Sequence, residues 1–171
     1  MRIRILAASV FAAACFVAPA QAAQLNFTTA LRGDQYPTTT GSAASGAATL
    51  HVDTDTQTID AQITITGIGF DDLAHHLAHS RMGAIHLHRY MPDGDVTLVV
   101  PFPLGASYAA TADGFTVTVT GYRYAEGADV LHSDLSFEDF VAALASDPIY
   151  LNVHTNAFGD GEISGRIAPA A

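Results

Sequence analysis

Ala48-Thr49-Leu50-His51-Val52-Asp53 runs into the polar turn Asp53-Thr54-Asp55-Thr56, and Ile59-Asp60-Ala61-Gln62-Ile63-Thr64-Ile65 follows it. Successive side chains of an extended strand point to opposite faces. Ala48, Leu50 and Val52 therefore share one face, with Thr49, His51 and Asp53 behind them. Ile59, Ala61, Ile63 and Ile65 share another, backed by Thr58, Asp60, Gln62 and Thr64. Two period-two segments joined by a polar turn predict a half-buried antiparallel hairpin.

The same pattern extends outward along the chain. Gln24 to Leu31 reads as a strand, and Arg32 to Ala47, rich in Gly, Thr and Ser, as a loop. Ala84 to Tyr90 and Val96 to Phe102 are strands around the turn Met91-Pro92-Asp93-Gly94-Asp95. Pro103 to Thr111 reads as loop. Phe115 to Tyr122, Ile149 to Thr155 and Glu162 to Ala168 complete the strand set. Ser136, with Asp139 three residues on, opens a helix along the apolar stripe Phe137, Phe140, Val141 and Leu144. Pro148 closes it. Phe70 to Met82 is a short helix or an ordered loop. Many short strands with frequent turns predict an all-β fold, an antiparallel β-sandwich or Greek-key barrel with one or two short helices.

The first residues are read as a leader. A basic start, Met1-Arg2-Ile3-Arg4, precedes an apolar run from Ile5 to Ala20 and the small-x-small site Ala20-Gln21-Ala22. That is the plan of a secretory signal peptide over residues 1–22. The run is too short for a membrane span. Ala12-Ala13-Ala14 before Cys15, and the apolar residues after it, read against lipidation there. Residues 23–171 then form one domain in the periplasm or outside the cell. Cys15 leaves with the leader, so the mature chain has no disulfide and no thiolate ligand. Without Lys, five Arg face seventeen Asp and Glu, a formal −12. Such a surface repels nucleic acid and anionic lipid and favours cations.

Eight His are the chemical feature of this composition. In Ala84-Ile85-His86-Leu87-His88, His86 and His88 share a strand face, roughly 6–7 Å apart at the backbone. Their ring nitrogens reach one metal ion, since a metal–nitrogen bond is about 2 Å. His154, in Tyr150-Leu151-Asn152-Val153-His154-Thr155, alternates in the same way. His86, His88 and His154 are the first candidate ligands and His79 the next. His75, His76 and His79 would neighbour one another on a helical turn. Glu162 is the candidate to orient a ligand from behind. Strand positions that bind nothing are the alternative for His86, His88, His154 and Glu162, and solvated helix positions for His75, His76 and His79. His51 is expected to be an exposed strand residue and His132 a structural or exposed loop residue.

Three segments resemble the CHRD domain, the module repeated in chordin and found alone in many bacterial secreted proteins. They are Ala84-Ile85-His86-Leu87-His88, Tyr150-Leu151-Asn152-Val153-His154-Thr155 and Gly161-Glu162-Ile163-Ser164-Gly165-Arg166-Ile167. Leu31-Arg32-Gly33-Asp34-Gln35-Tyr36-Pro37 and Gly41 to Ala48 fit the family's start. Departures are Arg89 and Tyr90 after the second His, Gly159 where Pro is common, and Ser164 where Arg is common. The His-rich stretch Asp71 to Met82 is particular to this chain. The His-x-His strand is also similar, more weakly, to the copper strand of copper-zinc superoxide dismutase. That enzyme's zinc-loop His spacing and disulfide cysteines are not found here.

The expected function is therefore a periplasmic or secreted metal-binding domain. Copper is the first choice on the affinity order of divalent ions and the dismutase likeness, with zinc or iron as alternatives. Covalent haem is excluded because no Cys-x-x-Cys-His exists; non-covalent haem on one His is a remote option. Two other readings remain: a dismutase-like redox enzyme on the same site, and a protein-interaction module with structural His. The second follows from the family's presence in chordin. It would take a protein partner or a second copy of the chain.

Overall fold

A computed structural model describes residues 24–170. The leader read in residues 1–22 lies outside them. The element order is β1 (Gln24–Arg32), β2 (Ser45–Asp53), β3 (Thr58–Thr66), the one-turn helix α1 (His75–Ala78), β4 (Ile85–Tyr90) and β5 (Val96–Phe102). There follow β6 (Tyr108–Ala110), β7 (Gly114–Arg123), α2 (Tyr124–Leu131), α3 (Phe137–Ser146), β8 (Ile149–Val153), β9 (Ile163–Arg166) and β10 (Ala168–Pro169). All strand pairs are antiparallel, and nine strands form one curled sheet in the order β5-β4-β8-β9-β1-β2-β3-β7-β6, with β10 paired to β1. The class is all-β with short helices, as expected.

The predicted hairpin pairs Ala48 with Ile63, Leu50 with Ala61 and Val52 with Ile59. All six side chains are buried. On β7, Phe115 and Val117 join them, paired with Ile65 and Ile63. The other half of the core comes from Ile85 and Leu87 on β4, Val100 and Phe102 on β5, and Ile149, Leu151 and Val153 on β8. Burying one such aliphatic or aromatic side chain stabilises the fold by about 1.5–3 kcal/mol. This alternating set is therefore what holds the sheet curled around its core.

α3 begins as predicted: the Ser136 hydroxyl accepts from the Asp139 N–H at 3.1 Å and donates to its carboxylate at 2.8 Å. Phe140 and Leu144 point inward, and Phe140 stacks on Tyr124 with centroids 4.7 Å apart. α2 is the helix that pattern reading does not find. β6, in the segment read as loop, is the other addition.

The opposite face of β4, β8 and β9 is polar, yet it too is covered. Ser164 is fully buried there. Its hydroxyl accepts from Thr38 at 2.9 Å and lies 3.1 Å from the Tyr36 carbonyl, to which it donates. The Thr40 hydroxyl donates to the Glu162 carbonyl at 2.8 Å. The Gly-Thr-Ser-rich loop between β1 and β2 thus lies over this face as a cover.

Candidate metal centre

β4 and β8 are neighbours in the sheet, with His86 opposite Asn152 and His88 opposite Tyr150. Directly opposed residues in an antiparallel pair point to one face. The ladder continues one step past β8, where the His154 N–H donates to the Ala84 carbonyl at 2.8 Å. His154 therefore stands opposite Ala84, on the same face as His86 and His88. Strand alternation and register together bring the three predicted ligands to one place. A register irregularity between β4 and β5 falls at Leu87 and His88. Such bulges turn side chains at functional rims.

The rings are packed together. The centroids of His86 and His154 are 4.5 Å apart, those of His86 and His88 4.6 Å, and those of His88 and His154 5.4 Å. One ligand nitrogen from each lies within 4.8 Å of the other two. The Nε2 atoms of His88 and His154 are 3.3 Å apart. Two nitrogens bonded to one ion at about 2 Å across a tetrahedral angle are separated by about 3.3 Å. That pair already has the chord of a bound metal.

The outer nitrogens fix the tautomers. His154 donates its Nδ1–H to the Gly159 carbonyl at 2.9 Å, and His86 donates its Nδ1–H to the Gly83 carbonyl at 3.2 Å. A neutral imidazole that donates from Nδ1 keeps its lone pair on Nε2. His88 Nδ1 is buried without a partner.

Charge on these rings is disfavoured. Burial, then the neighbouring His154 and His88, push His86 down to about 3. Burial, then His154, push His88 down to about 4. His154 is lowered chiefly by burial; the Gly159 carbonyl and the Asp160 charge oppose the shift. Metal binding requires neutral imidazole, so this site holds its ligands in the binding form at neutral pH.

The other candidates sit elsewhere. His79 is exposed at the C-terminal end of α1, and its ring meets that of His75 at 4.4 Å. It is outside the three-His cluster. His76 is the residue of that stretch whose charge reaches His154. His51 and His132 are exposed. Glu162 bonds no imidazole: its carboxylate accepts from Ser42 at 2.6 Å and from Thr155 at 2.7 Å. It braces the residue next to His154, one contact further out than expected. Backbone carbonyls take the orienting role instead.

Sequence reading missed Asn152, Tyr90 and Tyr150 on the same face. Asn152 and Tyr90 stand two residues from His154 and His88, and Tyr150 four from His154; that even spacing was the available signal. Tyr90 stacks on His88 at 5.8 Å and meets Tyr150 edge-on at 5.5 Å. Tyr36, from the covering loop, packs on both at 5.4 Å.

Gly83 ties the site to the fold. Its φ is +75°, and a Cβ there would lie 2.3 Å from the Phe102 carbonyl oxygen. That oxygen is backbone, so relief requires β5 to move. Gly83→Ala is expected to cost about 2–3 kcal/mol and to displace the carbonyl that holds His86. A denaturant midpoint equal to that of the parent chain would contradict this.

An all-antiparallel β domain with a covered polar face and three converging imidazoles, two of them buried, is the class that fold and site define. The family model for the CHRD domain matches residues 27–167, nearly all of the described chain. The chain belongs to the CHRD domain family. No curated protein and no solved structure matched it.

Proposed function

We propose that this CHRD domain binds one transition-metal ion through Nε2 of His86, His88 and His154. The observation that carries the reading is the convergence of three imidazoles, two buried and one half-buried, with two Nε2 atoms at 3.3 Å. Among the described residues no carboxylate joins the cluster and there is no cysteine, so the donor set is all nitrogen. Imidazole nitrogens suit copper, zinc and iron, and the affinity order puts copper first. We place the domain outside the cytoplasm on the leader read in residues 1–22. Intact mass of the envelope fraction tests this: the chain should start at Ala23, and retention of Met1 would contradict it.

One observation favours a second reading. A contact of 3.3 Å also suits an N–H···N bond from His88 to His154. The trio would then be a structural network inside an interaction module. Titration of the apo chain with copper and zinc, against a competing chelator, separates the two. The metal reading expects one equivalent bound with submicromolar affinity. Failure to compete at micromolar metal supports the structural network.

A further inference from the structure

Three imidazoles leave a four-coordinate metal one position short. Among the described residues the cluster of His, Cys, Asp and Glu ligands stops at three. Closed structural sites use four protein ligands, whereas sites that do chemistry keep a position open. What surrounds that position is therefore informative.

Asn152 stands directly opposite His86 and shares its face. It is fully buried. Its Nδ2 donates to the Tyr90 hydroxyl oxygen at 3.2 Å. Its Oδ1 is buried without any hydrogen-bond partner. Buried amide oxygens are almost always paired, so an unpaired one beside a metal cluster calls for a donor. The Tyr90 ring lies along that of His88, with centroids 5.8 Å apart. Gly161 backs the amide with φ +119°; a Cβ there would meet the Thr38 methyl at 2.7 Å and Asn152 Nδ2 at 3.5 Å.

We propose that Asn152, steadied by Tyr90, positions a small exchangeable oxygen ligand in the open coordination place of the three-His site. The ligand is water, or another small oxygen donor with a proton to give, such as a hydroperoxide. It binds the metal through oxygen and donates to Asn152 Oδ1. The centre is then an open one that accepts small substrates, and Asn152 is its positioning residue. This rests on the metal reading above.

The test uses the mature chain loaded with Cu(II), with metal content measured first. Water-proton relaxation counts exchangeable inner-sphere water. Azide, which cannot give a proton to Asn152, reports through its charge-transfer band how firmly that water is held. The chain as it stands should show one exchangeable water. Asn152→Leu should keep one copper per chain and bind azide about tenfold more tightly, the equivalent of one lost hydrogen bond. Tyr90→Phe, which leaves the amide in place but unanchored, should shift azide affinity in the same direction by a smaller factor. Copper-loaded chain without exchangeable water overturns the proposal and leaves metal binding standing. So does azide affinity in both variants within twofold of the parent. A chain that takes up no copper overturns metal binding itself, and this inference with it.

Discussion

His86→Ala and His154→Ala are each expected to strip the metal from the chain while leaving the fold in place. Each change removes one of three ligands from a site with no protein ligand in reserve among the described residues. Loss of a residue that merely orients a ligand lowers affinity about 10–100-fold, so losing a ligand should exceed the upper end of that range. The strand ladder does not depend on these rings, because β4 and β8 pair through backbone from Ile85–Val153 to Arg89–Ile149. Circular dichroism should therefore match the parent, while metal content falls from about one per chain to near zero. His79→Ala, from the exposed end of α1, should retain the metal. Full metal content in His86→Ala would contradict the site.

The second large effect is the loss of apo-protein stability as pH falls from 7 to 5. In the unfolded chain each His titrates near 6.5. In the folded chain His86 is pushed down to about 3 and His88 to about 4. The unfolded state therefore binds more protons throughout this window, and stability rises with pH. The contribution of these groups is complete above about pH 6.5 and is lost progressively as pH falls toward the folded-state values. Each group loses about 2 kcal/mol between pH 7 and 5, so the pair loses about 4 kcal/mol. That is a fall in melting temperature of about 8–16 °C for a domain of this size. Asp53 and Asp147 have lowered values too, and their contributions disappear only below the ordinary carboxylate range. They leave the window clear. His154, lowered in the same direction, adds to the fall, so His86→Ala should reduce the slope by less than half. An apo melting temperature that stays level from pH 7 to 5 would show that these rings are not held neutral.

The fold was legible where one face of a strand meets the core. Ala48, Leu50, Val52, Ile59, Ile63 and Ile65 alternate with polar residues, and the structure buries them in that register. α2 was hidden because Tyr124 follows β7 without a break. The residue before it, Arg123, provides no side-chain cap, and Gly127 sits inside it. That helix is stabilised by tertiary contact. Gly127 lies so close to β5 that a Cβ would touch Pro101 at 3.0 Å, and such proximity has no local signature.

The site was legible in part for the same reason. Period two puts His86 beside His88, but only the register of β8 against β4 brings His154 to them. Helical spacing singled out His79, yet α1 is a single turn that leaves it exposed beside His75. The carbonyls of Gly83 and Gly159 that set the tautomers belong to turns, where side-chain identity says little about backbone direction. Asn152 reads as an ordinary strand residue until its unpaired oxygen is seen.

The most direct measurement is anomalous scattering at the copper edge from crystals of the copper-loaded chain. The account predicts one strong peak bonded to Nε2 of His86, His88 and His154. A peak on the His75–His79 stretch instead, with none among those three rings, would contradict it.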